Sequence, residues 1–227
     1  MEVLETEDAS EVLAWGRQLG GGLRGFDIQY YYLYGFGHGD YETTTYGLED
    51  TPTGASYVAD STGTVDSVMA MLSTNSTTVD STFPVKLAIY KQGTDGVYDL
   101  WATSNEVTYD ESYERDNPDE PAFVAFTFSS TVNIGRDTNY AFILCVDDVR
   151  GSETVYLHYN SAANSAAAND SLIYGTGVDY ASFPEDPLDV TLASDKAVSL
   201  WVSYTSTEGG EPEPTGRRTR VTKLLGR

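Results

Sequence analysis

The chain has 227 residues, of which 35 are acidic and 13 are basic, and its formal net charge at pH 7 is −22. Because so many carboxylates repel phosphate groups, this charge excludes nucleic acid as the main partner. The sequence has no apolar run of the roughly 18 residues that a membrane span requires. Its start has no basic segment followed by an apolar one, so we expect neither membrane insertion nor a secretory signal peptide.

The composition also indicates a salt-rich environment. A charge this large destabilises a compact chain at low salt through self-repulsion, whereas about 1 M salt shortens the Debye length to about 3 Å. Threonine, serine, glycine and alanine are abundant, and only four residues are lysines: Lys86, Lys91, Lys196 and Lys223. These features are typical of a protein from an extreme halophile. The alternative is an acidic surface that serves only solubility.

Residues 1–25 predict a short helix followed by a glycine-rich connector. Asp8 or Ser10 can cap the helix at its N-terminus, and the glycine-rich residues 20–25 end it. Apolar residues follow the cap at helical spacing: Val12, Trp15 and Leu19. We expect this helix to fold onto the main domain or onto a partner.

From residue 26 to residue 206 the hydrophobic period changes to two, which predicts a single domain of β-strands. In the aromatic-rich segment 26–41 the even positions up to Phe36 are apolar or aromatic. We expect them to face inward together and to leave Tyr31 and Leu33 on the opposite face. Five later segments alternate in the same way, with these predicted inward residues: Val85, Leu87, Ile89, Val124, Phe126, Phe128, Tyr140, Phe142, Leu144, Val146, Val155, Leu157, Tyr159, Val198, Leu200, Val202 and Tyr204.

Residues 207–227 predict a linker rich in glycine, proline and glutamate, followed by an extended C-terminal arm. Residues 217–227 carry five basic side chains and no acidic one, which leaves residues 1–216 with a net charge of −27. We expect this arm either to fray or to dock on a neighbouring acidic subunit. The residues expected to dock are Arg217, Arg218, Arg220, Val221, Lys223, Leu224 and Leu225.

Turn signals separate the predicted strands, and no long amphipathic helix follows residue 25, so the fold class is an antiparallel all-β sandwich. The order of the segments over residues 55–205 resembles jelly-roll modules of virus tail and capsid-surface proteins and of carbohydrate-binding domains. The resemblance lies in a strand ending in "AIY", a short strand "LWAT", and a strand "AFTF" that leads through "VNI" to "TNYAFIL".

The resemblance implies a jelly-roll-like β-sandwich. Taken with the halophilic composition, it implies a structural protein of a haloarchaeal tailed virus, placed on the capsid surface as a decoration or turret, or on the tail. Such a protein is assembled in the host cytoplasm, reaches the exterior by lysis without a signal peptide, and has itself and other virion proteins as partners. The alternative is a carbohydrate-binding module that attaches to host surface glycans.

Histidine and cysteine, the residue types that most often bind catalytic metals or act as nucleophile and base, are scarce. The two histidines have no metal-type spacing: His38 lies in a predicted glycine-flanked turn, and His158 is predicted to face outward from its strand. The single cysteine, Cys145, lies in an apolar run and is expected to be buried. We therefore expect no enzyme and no organic cofactor.

The acidic loop around residues 110–120 offers oxygen ligands of the kind that calcium prefers. Its candidate ligands are Asp110, Glu111, Asp116 and Asp119. The alternative is a solvated acidic loop, which a halophilic surface would display anyway. The sequence therefore leaves a structural calcium ion as one of two interpretations.

Aromatic side chains near predicted turns are the remaining candidates for recognition. A tyrosine or tryptophan beside polar groups can stack on a glycan or anchor a protein interface. The candidates are Tyr31, Tyr98, Trp101, Tyr109, Tyr113 and Trp201. The sequence does not decide which of them lie together.

Overall fold

The computed structural model describes residues 29–32, 35–38, 44–48, 51–74, 82–110, 121–147, 154–160, 171–175, 180–193, 196–207 and 220–223. This part of the chain is all-β, which confirms the predicted class. The predicted N-terminal helix lies outside the described residues, as does nearly all of the linker.

Seventeen strands occur in the described residues. They are β1 (Gln29–Tyr32), β2 (Gly35–His38), β3 (Thr44–Gly47), β4 (Thr53–Val58), β5 (Gly63–Thr74), β6 (Thr82–Gln92), β7 (Tyr98–Thr103), β8 (Val107–Asp110), β9 (Ala122–Phe126), β10 (Val132–Ile134), β11 (Asn139–Val146), β12 (Val155–Asn160), β13 (Ser171–Gly175), β14 (Val190–Ala193), β15 (Ala197–Val198), β16 (Leu200–Ser206) and β17 (Arg220–Lys223).

Two large antiparallel sheets contain most of these strands. The eight-stranded sheet follows the order β15-β12-β5-β16-β2, with β3 beside β12 and with β9 and β10 beside β5. The seven-stranded sheet follows the order β14-β13-β4-β11-β6-β7, with β8 beside β6. The remaining two strands, β1 and β17, form a separate two-stranded sheet.

The main hydrophobic core lies between the two large sheets, as in a β-sandwich. It takes Leu87 and Phe142 from the seven-stranded sheet and Leu72 and Leu200 from the eight-stranded sheet. Every inward residue predicted from residue 85 onward belongs to this core except Phe128, which is partly buried and packs against it. The period of two therefore predicted the buried faces correctly.

The aromatic segment near the start forms two strands rather than one. Phe36 is buried in the core as predicted, because β2 pairs with β16 at the edge of the eight-stranded sheet. β1 pairs instead with β17, so Tyr30 and Tyr32 belong to neither sheet of the sandwich. The even positions up to Phe36 therefore do not all lie on one strand of the sandwich as expected, because alternation assigns residues to faces but does not say which sheet a strand joins.

A second, smaller cluster of buried side chains lies on the outer face of the seven-stranded sheet. Residues 180–189, which we call the strap, contribute Phe183 and Leu188 to it. The sheet contributes Ala88, Tyr90, Tyr98, Ala141, Ile143 and Cys145. Cys145 is thus buried, as predicted, in a cluster that the strap covers.

Candidate functional site

An irregularity in β7 exposes the largest apolar side chain on the described surface. Ile89 of β6 pairs with Ala102 and the next residue, Tyr90, pairs with Leu100, so Trp101 has no partner opposite it. An extra residue of this kind is a β-bulge, which bends its strand and redirects a side chain. Trp101 is 46% exposed although its neighbours on both sides are partly buried.

Two contacts fix the orientation of the Trp101 ring. Its indole Nε1 donates a hydrogen bond of 2.8 Å to the carbonyl oxygen of Asn133 in β10. The ammonium Nζ of Lys91 lies 4.8 Å from the ring centroid, within the range of a cation–π contact. Because β7 and β10 belong to different sheets, the ring spans the gap between the sheets at the edge of the sandwich.

Polar residues also lie on the strands that carry Trp101 and its two partners. Asp99 is exposed and lies opposite Lys91 in the strand register. The Asn133 side chain accepts a hydrogen bond of 3.2 Å from the Thr64 hydroxyl. Val97, in the turn before β7, is 38% exposed and is the second large exposed apolar residue of the described chain. We call Lys91, Val97, Asp99, Trp101 and Asn133 the edge surface.

The three lysines whose side chains the structure describes all lie over aromatic rings. Besides the Lys91–Trp101 contact, Lys86 Nζ is 4.0 Å from the Tyr180 centroid, and Lys196 Nζ is 4.7 Å from the Tyr159 centroid. Cation–π contacts at exposed sites contribute about 0.5–1 kcal/mol each. These scarce positive charges therefore help to hold aromatic side chains in place.

A polar cluster fastens the strap to the seven-stranded sheet. The Tyr180 hydroxyl donates a hydrogen bond to Glu106, whose carboxylate also lies 3.8 Å from Lys86 Nζ. Burial, with that hydrogen bond and nearby negative charges, raises the pKa of Tyr180 well above its usual range. The Tyr180 phenol therefore stays a hydrogen-bond donor further into alkali than a free tyrosine does.

The strap also covers the outer edge of β7. The Leu100 amide donates a 2.9 Å hydrogen bond to Asp186, and the Leu188 amide donates a 3.1 Å hydrogen bond to the Tyr98 carbonyl. Unpaired amides and carbonyls on an edge strand invite pairing with another chain. The strap provides hydrogen-bond partners for two of these backbone groups. Trp101, on the same edge strand, stays exposed to solvent.

Of the six aromatic candidates, Trp101 is exposed as expected, whereas three others are buried and this part of the expectation is corrected. Tyr98 accepts a 3.0 Å hydrogen bond from the Asn139 amide under the strap. Tyr109 belongs to β8 rather than to the acidic loop, and its hydroxyl donates to the Leu72 carbonyl. Trp201 is 2% exposed. None of these three rings offers a surface on which a glycan could stack.

Trp201 is buried because β2 supplies glycines where its ring lies. A Cβ atom on Gly35 would lie 2.7 Å from Trp201 Nε1, closer than side chains tolerate. The absent side chain therefore leaves room for the indole against the backbone of β2. Trp201 points to the face opposite the main core, as the alternation of its strand predicts. It is buried on that face, whereas from the sequence we expected it to be exposed.

The remaining aromatic candidates and the calcium candidates stay predictions. Tyr31 lies in β1, and Tyr113 lies outside the described residues. Asp110 ends β8, while the other candidate ligands Glu111, Asp116 and Asp119 are outside the described part of the chain. Within that part, no group of three or more His, Cys, Asp or Glu side chains is arranged to hold a metal ion.

The histidines differ from their predicted placements. His158 is buried rather than outward-facing, and its Nε2 lies 2.8 Å from the Ser73 hydroxyl. His38 is the last residue of β2 and pairs with Leu200, so it belongs to a strand rather than to a turn. Both corrections depend on distant strands, since His38 pairs with β16 and His158 contacts Ser73 of β5, and local sequence does not identify these neighbours.

The C-terminal arm is described only where it forms β17. There Tyr31 lies opposite Val221, and Tyr32 lies opposite Arg220, in antiparallel register. Lys223 ends the same strand. The other residues expected to dock, which are Arg217, Arg218, Leu224 and Leu225, are outside the described residues.

The sequence matches no protein-family model and no curated protein. In the part of the chain that the structure describes, no helix combines the length and the apolar character needed to cross a membrane.

Proposed function

We propose that this protein is a structural protein of a virion that infects a halophilic host, with a jelly-roll-like sandwich displayed on the capsid surface or on the tail. In this role it assembles with copies of itself and with other virion proteins through the edge surface. The observation that carries the proposal is the exposed but fixed ring of Trp101. Interfaces are typically anchored by aromatic side chains that are ordered before binding.

Energetics favour Trp101 as the anchor. Nearly half of its side chain is open to solvent. Burying about half of roughly 250 Å² of aromatic surface at about 25 cal/mol per Å² stabilises an interface by about 3 kcal/mol. In a symmetric pair the same contact occurs twice, so one residue can contribute a large share of the association energy.

The composition agrees with contacts of this kind. At high salt the attraction between charged surfaces is screened within a few ångströms, whereas apolar burial is not weakened. A protein with a net charge of −22 must therefore associate through short-range apolar contacts and hydrogen bonds. The edge surface offers both, since Val97 and Trp101 are apolar and Asp99 and Asn133 are polar.

The test is the mass of the protein in concentrated salt, measured by light scattering. We expect Trp101→Ala to reduce the oligomer to a smaller species, because the anchor is lost. Tyr156→Ala is the matched control, since Tyr156 is a half-buried aromatic of β12 in the other sheet; it should leave the mass unchanged. Equal masses for wild type and Trp101→Ala would contradict assembly through the edge surface.

Attachment to glycans is the second candidate function, and the polar rim of the edge surface favours it. A pyranose ring has an apolar C–H face that can stack on an indole, and its hydroxyls bond to carboxylate and amide groups such as those of Asp99 and Asn133. The test is a glycan array in high salt. Binding that is lost in Trp101→Ala and kept in Tyr156→Ala supports attachment, and a blank array contradicts it.

A further inference from the structure

We propose that β17 of one copy pairs with β1 of a neighbouring copy, so that subunits are linked by exchanged C-terminal arms. This inference rests on the proposed function as an assembling protein and names one of its interfaces. The partner is a second copy of the same chain, and the surface it uses is the edge of β1.

The topology allows the β17 that pairs with β1 to come either from the same copy or from a neighbouring copy. β17 pairs with β1 alone, and neither strand joins the sheets of the sandwich within the described residues. The pairing spans four residues on each strand, from Gln29 opposite Lys223 to Tyr32 opposite Arg220. The same pairs form whether β17 comes from the same copy or from a neighbour, which is the requirement for exchanging a strand at little energetic cost.

The lengths of the connecting segments allow the exchange. Two residues separate β1 from β2, which is an edge strand of the eight-stranded sheet, so β1 stays close to its own sandwich. Thirteen residues, 207–219, separate β16 from β17. A segment of that length spans at most about 45 Å when fully extended. β17 can therefore reach β1 of an adjacent subunit as well as its own.

The arm and the body with which it pairs carry opposite charge, and their pairing is weak outside an assembly. Residues 217–227 carry five basic side chains, whereas residues 1–216 carry a net charge of −27. An arm that pairs with a neighbour places basic residues beside an acidic body at short range, where salt screens their attraction least. A two-stranded sheet by itself is only marginally stable in water, so the pairing gains most where neighbouring subunits surround it.

The test uses disulfides at the observed register. In a Cys145→Ala background, chains with Tyr31→Cys and chains with Val221→Cys, each with its own tag, are co-expressed and oxidised. Opposite residues on antiparallel strands have Cα atoms about 4.5–5.5 Å apart, within the range of a disulfide. We expect a covalent species of twice the chain mass that carries both tags. Thr222→Cys replaces Val221→Cys in the control, because residue 222 is opposite Tyr30 rather than Tyr31 and successive strand residues alternate between faces; this control should give no such species.

The double variant Tyr31→Cys/Val221→Cys decides between the two pairings, and light scattering of the same samples reports assembly separately. Exchange predicts covalent multimers. A cross-linked single chain as the sole product, or no cross-link at all, overturns the exchange. If the protein still forms an oligomer in that case, the proposed function survives. A chain that stays monomeric at all concentrations overturns both.

Discussion

The indole Nε1 of Trp101 lies 2.8 Å from the carbonyl oxygen of Asn133, and this hydrogen bond joins the edge of one sheet to the edge of the other. The bulge in β7 makes the bond geometrically accessible, since it redirects Trp101 away from the regular alternation of its strand. The ring is therefore exposed and rigid at once, which is the combination that an interface anchor or a stacking platform requires.

Replacing Trp101 tests its structural contribution. We expect Trp101→Ala to lower the free energy of unfolding by about 1–2 kcal/mol, because it removes the bond to Asn133 and the contact with Lys91. Val97→Ala, on the same surface, should change it by less than about 0.5 kcal/mol. Urea titration at constant salt measures both values. A loss of stability in Val97→Ala as large as that in Trp101→Ala would contradict a specific role for the indole.

Two buried tyrosines should respond differently to replacement by phenylalanine. The Tyr109 hydroxyl donates to the Leu72 carbonyl, whereas the Tyr90 hydroxyl is buried without a hydrogen-bond partner among the described residues. Near neutral pH, Tyr109→Phe should lower the free energy of unfolding by about 1 kcal/mol, while Tyr90→Phe should leave it unchanged or raise it by up to about 1 kcal/mol. Denaturant titrations measure the difference, and equal losses would contradict it.

The raised pKa of the buried Tyr90 phenol also predicts how the stability of the fold changes in alkali. Burial first, and then the charges of Asp186 and Glu185, raise the pKa of Tyr90 well above the value of about 10 found in unfolded chains. Above about pH 10 the unfolded chain loses this proton while the folded chain keeps it, so stability falls as the pH rises. We expect Tyr90→Phe to lose less stability between about pH 9 and about pH 11 than wild type. An identical loss would show that Tyr90 does not contribute.

Alanine substitutions at two glycines distinguish a steric clash from backbone strain as causes of lost stability. A Cβ on Gly54 would lie 1.7 Å from the Phe142 carbonyl oxygen, whereas Gly96 has open space around it but a φ of +86°. We expect Gly54→Ala to cost about 3 kcal/mol or more by forcing β4 and β11 apart. Gly96→Ala should cost about 1 kcal/mol through backbone strain alone. Thermal unfolding ranks the two variants, and the reverse order would contradict the close pairing of β4 with β11.

The acidic surface predicts that salt stabilises the fold. Raising the salt from about 0.1 M to about 1 M shortens the Debye length from about 10 Å to about 3 Å, which screens repulsion among exposed carboxylates. We expect the unfolding temperature to rise over this range. The rise should be smaller in a variant in which three exposed aspartates are replaced by asparagine: Asp99, Asp137 and Asp189. An unfolding temperature that falls with salt would contradict the halophilic interpretation.

The alternation of apolar residues predicted the main core because it is a local property. Phe142 and Leu200 lie in different sheets, yet each was assigned correctly from its own strand. Local alternation does not show which distant segments cover the outer faces of the two sheets. Tyr98 is buried because the strap, more than eighty residues later, lies over it, and Trp201 is buried because Gly35 leaves room for its ring. Such contacts depend on which distant segments meet.

The candidate site, too, could be predicted only in part from the sequence. Trp101 was identified from its residue type and its position near a turn. Its hydrogen-bond partner Asn133 is 32 residues away and belongs to the other sheet. The partner is a backbone carbonyl, which carries no signal of residue type, so no motif could have predicted it. The Lys91 contact follows from β6 pairing with β7, the next strand along the chain.

The mass of the full chain in salt of about 1 M or more tests the central claim most directly, because that salt screens the repulsion of its charges. Light scattering over a wide range of protein concentration should give a closed oligomer whose mass does not grow with concentration and which becomes smaller in Trp101→Ala. A folded wild-type chain that remains monomeric throughout that range would contradict the account.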